Sequence, residues 1–285
     1  MTASALADRE ASAARTARGG LTVPAWVHGS AMIVLSATAL AILVRYCLHS
    51  YRGIRWDEQL MSAWEVTEAT RMTTAHYLSV ITVPSVALVL IGCVATAIVR
   101  QRLSLAVGAA TLIGGATVTT QVLKYEVFER LPQAGANTLP SGHTTVAISV
   151  CMAAMIVVPT GWRVFLAPVA AGLSAAAGIA TVLGSWHRPG DVVAALAVCT
   201  AWLGVALIVI SALQDRAPVV RSPGVSPALA LAGPSLVLLV MVWQRGIVIG
   251  AGLPLVGAWA AVAVFAVAVG LVFSWLTAVA DRSLA

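Results

Sequence analysis

The chain is a succession of apolar runs of about 17–25 residues separated by short polar breaks, and a run of that length spans a bilayer as an α-helix. Of the 285 residues, 60% are hydrophobic and only 10% are charged. A soluble domain carries roughly 25% charged residues, so this composition excludes a soluble protein. The pattern therefore predicts an all-α fold, a polytopic membrane helical bundle.

Eight spans are expected, at 25–48, 76–99, 103–123, 143–160, 162–184, 191–213, 227–244 and 252–279. Short connections such as 100–102 force neighbouring spans to run antiparallel. Residues 1–22 are rich in Ala, Ser, Thr and Arg and predict a flexible cytoplasmic tail. The first apolar run is too long for the core of a cleaved signal peptide, so we interpret it as an uncleaved span.

The longest connection between spans covers residues 49–75. Its mixed charge, together with Leu60 and Trp64, predicts a short helix that lies at the membrane interface. Such a segment is more often an amphipathic linker than a functional lid, and the lid is kept as the alternative.

The cations indicate how the chain is oriented. Net charge is +6, and the arginines are scattered singly over short loops, which suits membrane topology and not a nucleic-acid partner. A cytoplasmic N-terminus places nine of the 17 Lys and Arg residues inside and eight outside. The outer set includes three suspected site cations, Lys124, Arg130 and Arg188. Setting these aside favours this orientation and places both polar clusters described below at the extracytoplasmic face.

The first polar cluster is Leu139-Pro140-Ser141-Gly142-His143, directly before an apolar run. Ser141 is a good helix N-cap, and Gly142 lets a ligand approach the backbone. The first N–H groups of a helix lack internal partners and attract anions. His143 on the first turn can then donate a proton to a leaving oxygen. The alternative is an ordinary capped helix with an interfacial histidine.

The second cluster is Trp186-His187-Arg188-Pro189-Gly190-Asp191. Pro189 suits the first turn of a helix, and Asp191, four residues after His187, can reach its imidazole. A carboxylate on one ring nitrogen leaves the other free to attack, as in other activated nucleophiles. A helix-capping aspartate beside a coincidental histidine is equally compatible. Lys124, the only lysine, lies upstream and is either an interface anchor or a phosphate ligand.

With these motifs, residues 25–213 resemble the type 2 phosphatidic acid phosphatase (PAP2) family, which is related to the vanadium haloperoxidases. The family pattern is K-x6-R-P, then P-S-G-H, then S-R-x5-H-x3-D, in loops of a six-span core. The resemblance implies that His187 attacks phosphorus, that Asp191 orients it and that His143 protonates the leaving group. It also implies that no metal or other cofactor takes part. Phosphate binding would fall to Lys124, Arg130, Ser141 and Gly142.

The chain departs from that pattern at two positions. Arg130 follows Lys124 one residue early and is separated from Pro132 by Leu131. The family's arginine six residues before the nucleophile falls on Thr181. We hypothesise that Arg188 replaces this arginine as a phosphate ligand.

The resemblance implies a multi-pass lipid phosphatase of the cell membrane, with its site extracytoplasmic and its core over 23–213. Compatible substrates are polyprenyl diphosphate, phosphatidic acid and phosphatidylglycerophosphate. The preference for arginine over lysine is typical of a GC-rich bacterium and favours a cell-envelope lipid. The alternatives are a lipid phosphotransferase and a non-catalytic lipid-binding or transport protein. Residues 214–285 hold two additional spans and a short tail, for which packing, homo-oligomer formation and lipid access are all open.

Overall fold

The computed structural model describes residues 23–64, 66–132, 135–214, 226, 228–245 and 252–283. Ten α-helices make up this part of the chain, and it contains no strands. In chain order they are α1 Ala25–Cys47, α2 Tyr51–Ser62, α3 Glu68–Leu78, α4 Val83–Val99, α5 Leu103–Val122, α6 Gly142–Val157, α7 Thr160–Leu183, α8 Pro189–Leu213, α9 Leu229–Arg245 and α10 Leu253–Ser283. A π-helical turn, Leu123–Val127, continues α5.

Among the described residues, five helices are long and apolar enough to cross a membrane, and three shorter apolar helices accompany them. The five are α1, α5 with its π-helical turn, α7, α8 and α10, and the shorter ones are α4, α6 and α9. The predicted fold class, a polytopic helical bundle, is confirmed. The cytoplasmic tail predicted over 1–22 lies outside the described residues, and the division into a core over 23–213 and a C-terminal part over 214–285 stays a prediction.

The second predicted span, 76–99, is wrong at its start. The chain breaks after Leu78, and α4 begins only at Val83. Thr82 and Ser85 form a capping box there, in which each side chain accepts a hydrogen bond from the backbone N–H of the other. This arrangement satisfies N–H groups that a new helix start leaves without partners.

The connection predicted to hold one interfacial helix contains two, α2 and α3. Trp64, which was expected at the membrane interface, is 5% exposed and packs edge-on against Trp259 of α10, with ring centroids 5.1 Å apart. Leu60 likewise reaches Gly257 of α10. The end of α2 is therefore part of the packed protein and not a free linker.

Close approaches between backbones hold α1 against α8. A Cβ placed on Gly29 would lie 2.6 Å from the carbonyl oxygen of Gly204, and one on Gly204 would collide with the carbonyl oxygen of Gly29. Small residues let membrane helices approach this closely, which is where their packing energy comes from. The pairing fixes α8, the helix that carries the second polar cluster.

The last two helices pack on α7 and are joined to it by a buried ion pair. Nη1 of Arg163, at the start of α7, donates to Oδ1 of Asp281, near the end of α10, over 2.9 Å. The Arg163 side chain is fully buried and that of Asp281 almost so. Gly172 and Gly233 bring α7 and α9 into backbone contact. The C-terminal pair is therefore an integral part of the bundle.

Both polar clusters lie at the opposite end of the bundle from this ion pair. The backbone N–H of Leu131, after α5, donates to the carbonyl of Leu48, after α1. The N–H of Ser141 donates to the carbonyl of Asp191 over 3.1 Å. The α5–α6 connection thus lies directly against the start of α8, and α2 packs on the same end.

Candidate active site

A tight turn after α7 presents His187. Ser185 adopts a left-handed backbone conformation, with φ 58°. The backbone N–H groups of Trp186 and His187 then both donate to the carbonyl of Thr181, over 3.1 and 3.2 Å. Pro189 starts α8 with the fixed φ that a first helical turn requires. His187 is therefore held just outside the helix and is 7% exposed.

One oxygen of Asp191 gathers three donors. Oδ2 lies 3.1 Å from Nδ1 of His187, 3.0 Å from the backbone nitrogen of Arg188 and 2.6 Å from Oγ1 of Thr138. These donors, together with the partial positive charge at the start of α8, hold the carboxylate in place. In the neutral tautomer that donates Nδ1–H to this oxygen, Nε2 of His187 carries a lone pair that can act as a nucleophile.

The first cluster forms the start of α6. Oγ of Ser141 accepts from the N–H of Thr144 over 3.4 Å, which makes Ser141 the N-cap. A Cβ on Gly142 would meet only the side-chain amide of Gln121 within 4 Å, at 3.9 Å. The space in front of the Gly142 backbone is therefore open to a ligand. His143 is exposed beside it.

The two histidines, far apart in sequence, are brought together. His187 and Lys124 both lie within electrostatic range of His143, so the three side chains surround one region. Lys124 projects from the π-helical turn, and its ammonium lies 5.5 Å from the centre of the Tyr125 ring. The side-chain amide of Asn137 donates to the carbonyl of Lys124 over 3.0 Å and so ties the turn to the loop that leads into α6.

Arg130 and Arg188 meet at a carboxylate from α2. Oε1 of Glu58 accepts from Nη2 of Arg130 over 3.0 Å and from Nη2 of Arg188 over 3.3 Å. Nη1 of Arg188 donates to Oγ1 of Thr138 over 2.7 Å. Thr138 therefore connects the Arg188 guanidinium to the carboxylate of Asp191, and the two arginines lie beside the His187–Asp191 pair.

The start of α8 is already occupied by a protein carboxylate. Oδ1 of Asp57, also on α2, accepts from the N–H of Gly190 over 2.9 Å. Because burial outweighs this bond and the nearby charges of Arg188 and Arg130, the pKa of Asp57 is raised to about 6. Of the two helix starts that follow the polar clusters, that of α6 is open to a ligand, whereas the carboxylate of Asp57 accepts from the N–H of Gly190 at the start of α8.

Two positions that the family pattern assigns to phosphate binding, Ser141 and Thr181, are fully buried. Ser141 is fully buried and its hydroxyl is engaged in the N-cap, so its part in phosphate binding stays a prediction. Thr181 is also fully buried, and its hydroxyl donates to the carbonyl of Gly178 over 2.7 Å. Thr181 thus supplies no cation to the site. In the described part of the chain, no cluster of three or more His, Cys, Asp or Glu side chains is suited to a metal ion.

Residues 109–215 match the family model described as the PAP2 superfamily. Over these residues the chain matches a PAP2 superfamily domain. The matched region begins within α5 and ends just after α8, so Lys124, Arg130 and both polar clusters lie inside it. The match and the apolar helices together support a phosphatase-family membrane protein. Comparison with curated proteins and with solved structures found no match.

Several residues that contact the site were missed from the sequence: Asp57, Glu58, Asn137 and Thr138. Asp57 and Glu58 lie outside the residues that match the PAP2 model, and α2 reaches the domain only through the folded bundle. The presence of two adjacent acidic residues in a mostly apolar chain was a signal that could have indicated Asp57 and Glu58. Thr138 and Asn137, three and four residues before Ser141, carried no pattern of their own.

Proposed function

We propose that this protein is an integral membrane lipid phosphatase that hydrolyses a lipid phosphate or diphosphate monoester through a phosphohistidine intermediate. The observation that supports it most is the His187–Asp191 pair at 3.1 Å, placed within electrostatic range of His143 and beside the open start of α6. A nucleophile, a proton donor and an anion-binding helix start are the groups that phosphoryl transfer without a resident cofactor requires.

In the first step, the lone pair on Nε2 of His187 attacks phosphorus, and the bond from phosphorus to the leaving oxygen breaks. Asp191 accepts the Nδ1–H hydrogen bond and stabilises the positive charge that develops on the ring. His143 protonates the departing oxygen, which leaves as the lipid alcohol or, for a diphosphate, as the lipid monophosphate. In the second step, His143 takes a proton from water, whose oxygen attacks phosphorus and releases His187 and inorganic phosphate.

The phosphate oxygens would be held from two sides. The N–H groups at the start of α6, in front of Gly142, supply donors and the partial positive charge of the helix. Lys124, Arg130 and Arg188 supply full charges. Arg188 takes the place of the family's arginine, which is absent at position 181, where this chain has a threonine. Such fixed charges stabilise the negative charge spread over the transferring group.

The substrate would be an amphiphile with its phosphate at headgroup level and its tail in lipid, because the site lies at one end of a membrane bundle. Polyprenyl diphosphate, phosphatidic acid and phosphatidylglycerophosphate all meet this description. The distribution of loop cations supports a site on the extracytoplasmic face of the cell membrane and a cytoplasmic N-terminus.

The decisive experiment is phosphate release from a panel of these lipids by purified protein in detergent. We expect release by the wild type, loss to background in His187→Ala, and wild-type release in His76→Ala, since His76 is an exposed histidine on α3. Transfer of phosphate to an added alcohol without free phosphate would favour the phosphotransferase. Equal background release by wild type and His187→Ala across the panel would instead support a lipid-binding or transport protein.

A further inference from the structure

Glu58 is the exposed member of a three-residue ion cluster. Its side chain is 41% exposed, whereas those of Arg130 and Arg188 are 2% and 16% exposed. The carboxylate therefore lies on the solvent side of both guanidinium groups. A single oxygen, Oε1, takes the Nη2 donors of the two arginines.

Carboxylate and phosphate oxygens compete for the same arginine donors, since both are anionic acceptors of charge-assisted hydrogen bonds. While Glu58 accepts from Nη2 of Arg130 and of Arg188, its carboxylate takes one N–H of each group and occupies the position between them that a phosphate oxygen would fill. The remaining contacts keep the site assembled if Glu58 moves away. Thr138 holds Nη1 of Arg188, and the neighbouring Asp57 anchors α2 to Gly190.

We propose that Glu58 is a specificity-determining residue that holds the place of a phosphate oxygen between Arg130 and Arg188 until the substrate displaces it. The inference rests on the proposed function, because it takes the two arginines as phosphate ligands. Displacement requires a ligand that competes well with a carboxylate. A phosphate monoester with two negative charges or a diphosphate does so, whereas a phosphodiester with one charge does not. Glu58 thereby selects terminal phosphates against the diester phosphates of abundant membrane lipids.

The test compares inorganic phosphate binding by calorimetry in detergent for the wild type, Glu58→Gln and Glu68→Gln. Glu68 pairs with Arg71 on the exposed face of α3 and is the matched control. Removing two partly exposed ion pairs that compete with the ligand is expected to tighten phosphate binding about tenfold in Glu58→Gln. The Michaelis constant for a short-chain phosphomonoester should fall in parallel, and a phosphodiester of the same chain length should become an effective inhibitor. Glu68→Gln should match the wild type in all three measurements.

Unchanged or weaker phosphate binding in Glu58→Gln overturns the proposal, and weaker binding identifies Glu58 as a residue that only positions the arginines. Absence of phosphate binding in every variant overturns it equally. Should Glu58→Gln fail to fold, Glu58→Ala is judged by the same criterion. Tighter binding without phosphate release in any variant would retain the role of Glu58 and reject the hydrolase. Phosphate release that depends on His187, without tighter phosphate binding in Glu58→Gln, would support the hydrolase and reject the role of Glu58.

Discussion

Nδ1 of His187 lies 3.1 Å from Oδ2 of Asp191, four residues further along the chain. The same oxygen accepts a hydrogen bond from the hydroxyl of Thr138, which lies in the connection between α5 and α6. One carboxylate oxygen therefore joins the two loops that carry the polar clusters. Its chemistry can be altered without removing the side chain, which makes it the most direct point at which to test the proposed mechanism.

Asp191→Asn is expected to lower kcat by about 10³-fold, because the amide keeps the shape but loses the charge that orients and stabilises the imidazole. The measurement is initial-rate phosphate release together with acid-quenched trapping of the phosphorylated enzyme. Glu68→Gln serves as the control for loss of one carboxylate. A variant that keeps kcat within a few-fold of the wild type would show that Asp191 is only a helix cap.

Thr138→Val is expected to lower kcat/KM by about 10- to 100-fold. The substitution keeps the volume but removes a donor to Asp191 and an acceptor for Arg188, and hydrogen bonds to charged groups contribute about 1.5–3 kcal/mol each. Thr96→Val is the matched control, since the Thr96 hydroxyl donates only to the carbonyl of Gly92 within α4. Equal kinetics in the two variants would contradict the bridging role of Thr138.

Asp57 should give stability a distinct pH dependence. Its pKa is raised from 3.8 to about 6 in the folded protein, so the folded state binds the proton more tightly than the unfolded chain. The stabilisation that Asp57 contributes is fully present below the pKa that it has in the unfolded chain. It is lost as pH rises through the pKa that Asp57 has in the folded protein. The shift corresponds to a loss on the order of 3 kcal/mol.

The check is the thermal unfolding midpoint of wild type and Asp57→Asn in detergent over this range. Relative to Asp57→Asn, the wild type should lose stability as pH rises from about 4 to about 7. Glu68→Gln retains Asp57, so its unfolding midpoint should follow that of the wild type over the same range. Parallel midpoint curves for the wild type and Asp57→Asn would mean that Asp57 titrates normally.

Gly204→Ala is expected to destabilise the bundle by about 1–3 kcal/mol, because its methyl group would collide with the carbonyl of Gly29 on α1. Gly114 of α5 provides the control, because a Cβ added there would meet nothing within 4 Å. Gly114→Ala should be neutral or stabilising, by up to about 1 kcal/mol, because alanine is the better helix former. Similar unfolding midpoints for the two variants would exclude the close α1–α8 contact.

The sequence predicted most of the helices because apolar length is a local property. It predicted the start of α6 from Ser141 and that of α8 from Pro189, since capping chemistry is local too. The break before α4 was missed because Val80 and Ile81 continue the apolar pattern across it. Pro84 and the capping box of Thr82 with Ser85 were the signals that could have located it.

The His187–Asp191 pair of the candidate site was also readable, since Asp191 follows His187 by only four residues. The partners of Arg130 and Arg188 were not, because Glu58 reaches them from α2, which lies far away along the chain. The burial of Trp64 could not be read from the sequence for the same reason, because it depends on Trp259 of α10. Long-range contacts of this kind depend on the packing of whole helices, which no spacing rule describes.

The buried pairing of Arg163 with Asp281 has a practical consequence for anyone who wishes to reduce this protein to its minimal unit. A version shortened after α8 would retain the Arg163 guanidinium in the interior while discarding its carboxylate, and an unpaired buried charge costs about 3–5 kcal/mol. Such a version would need Arg163 exchanged for an uncharged residue of similar size before its activity could be compared fairly with the parent.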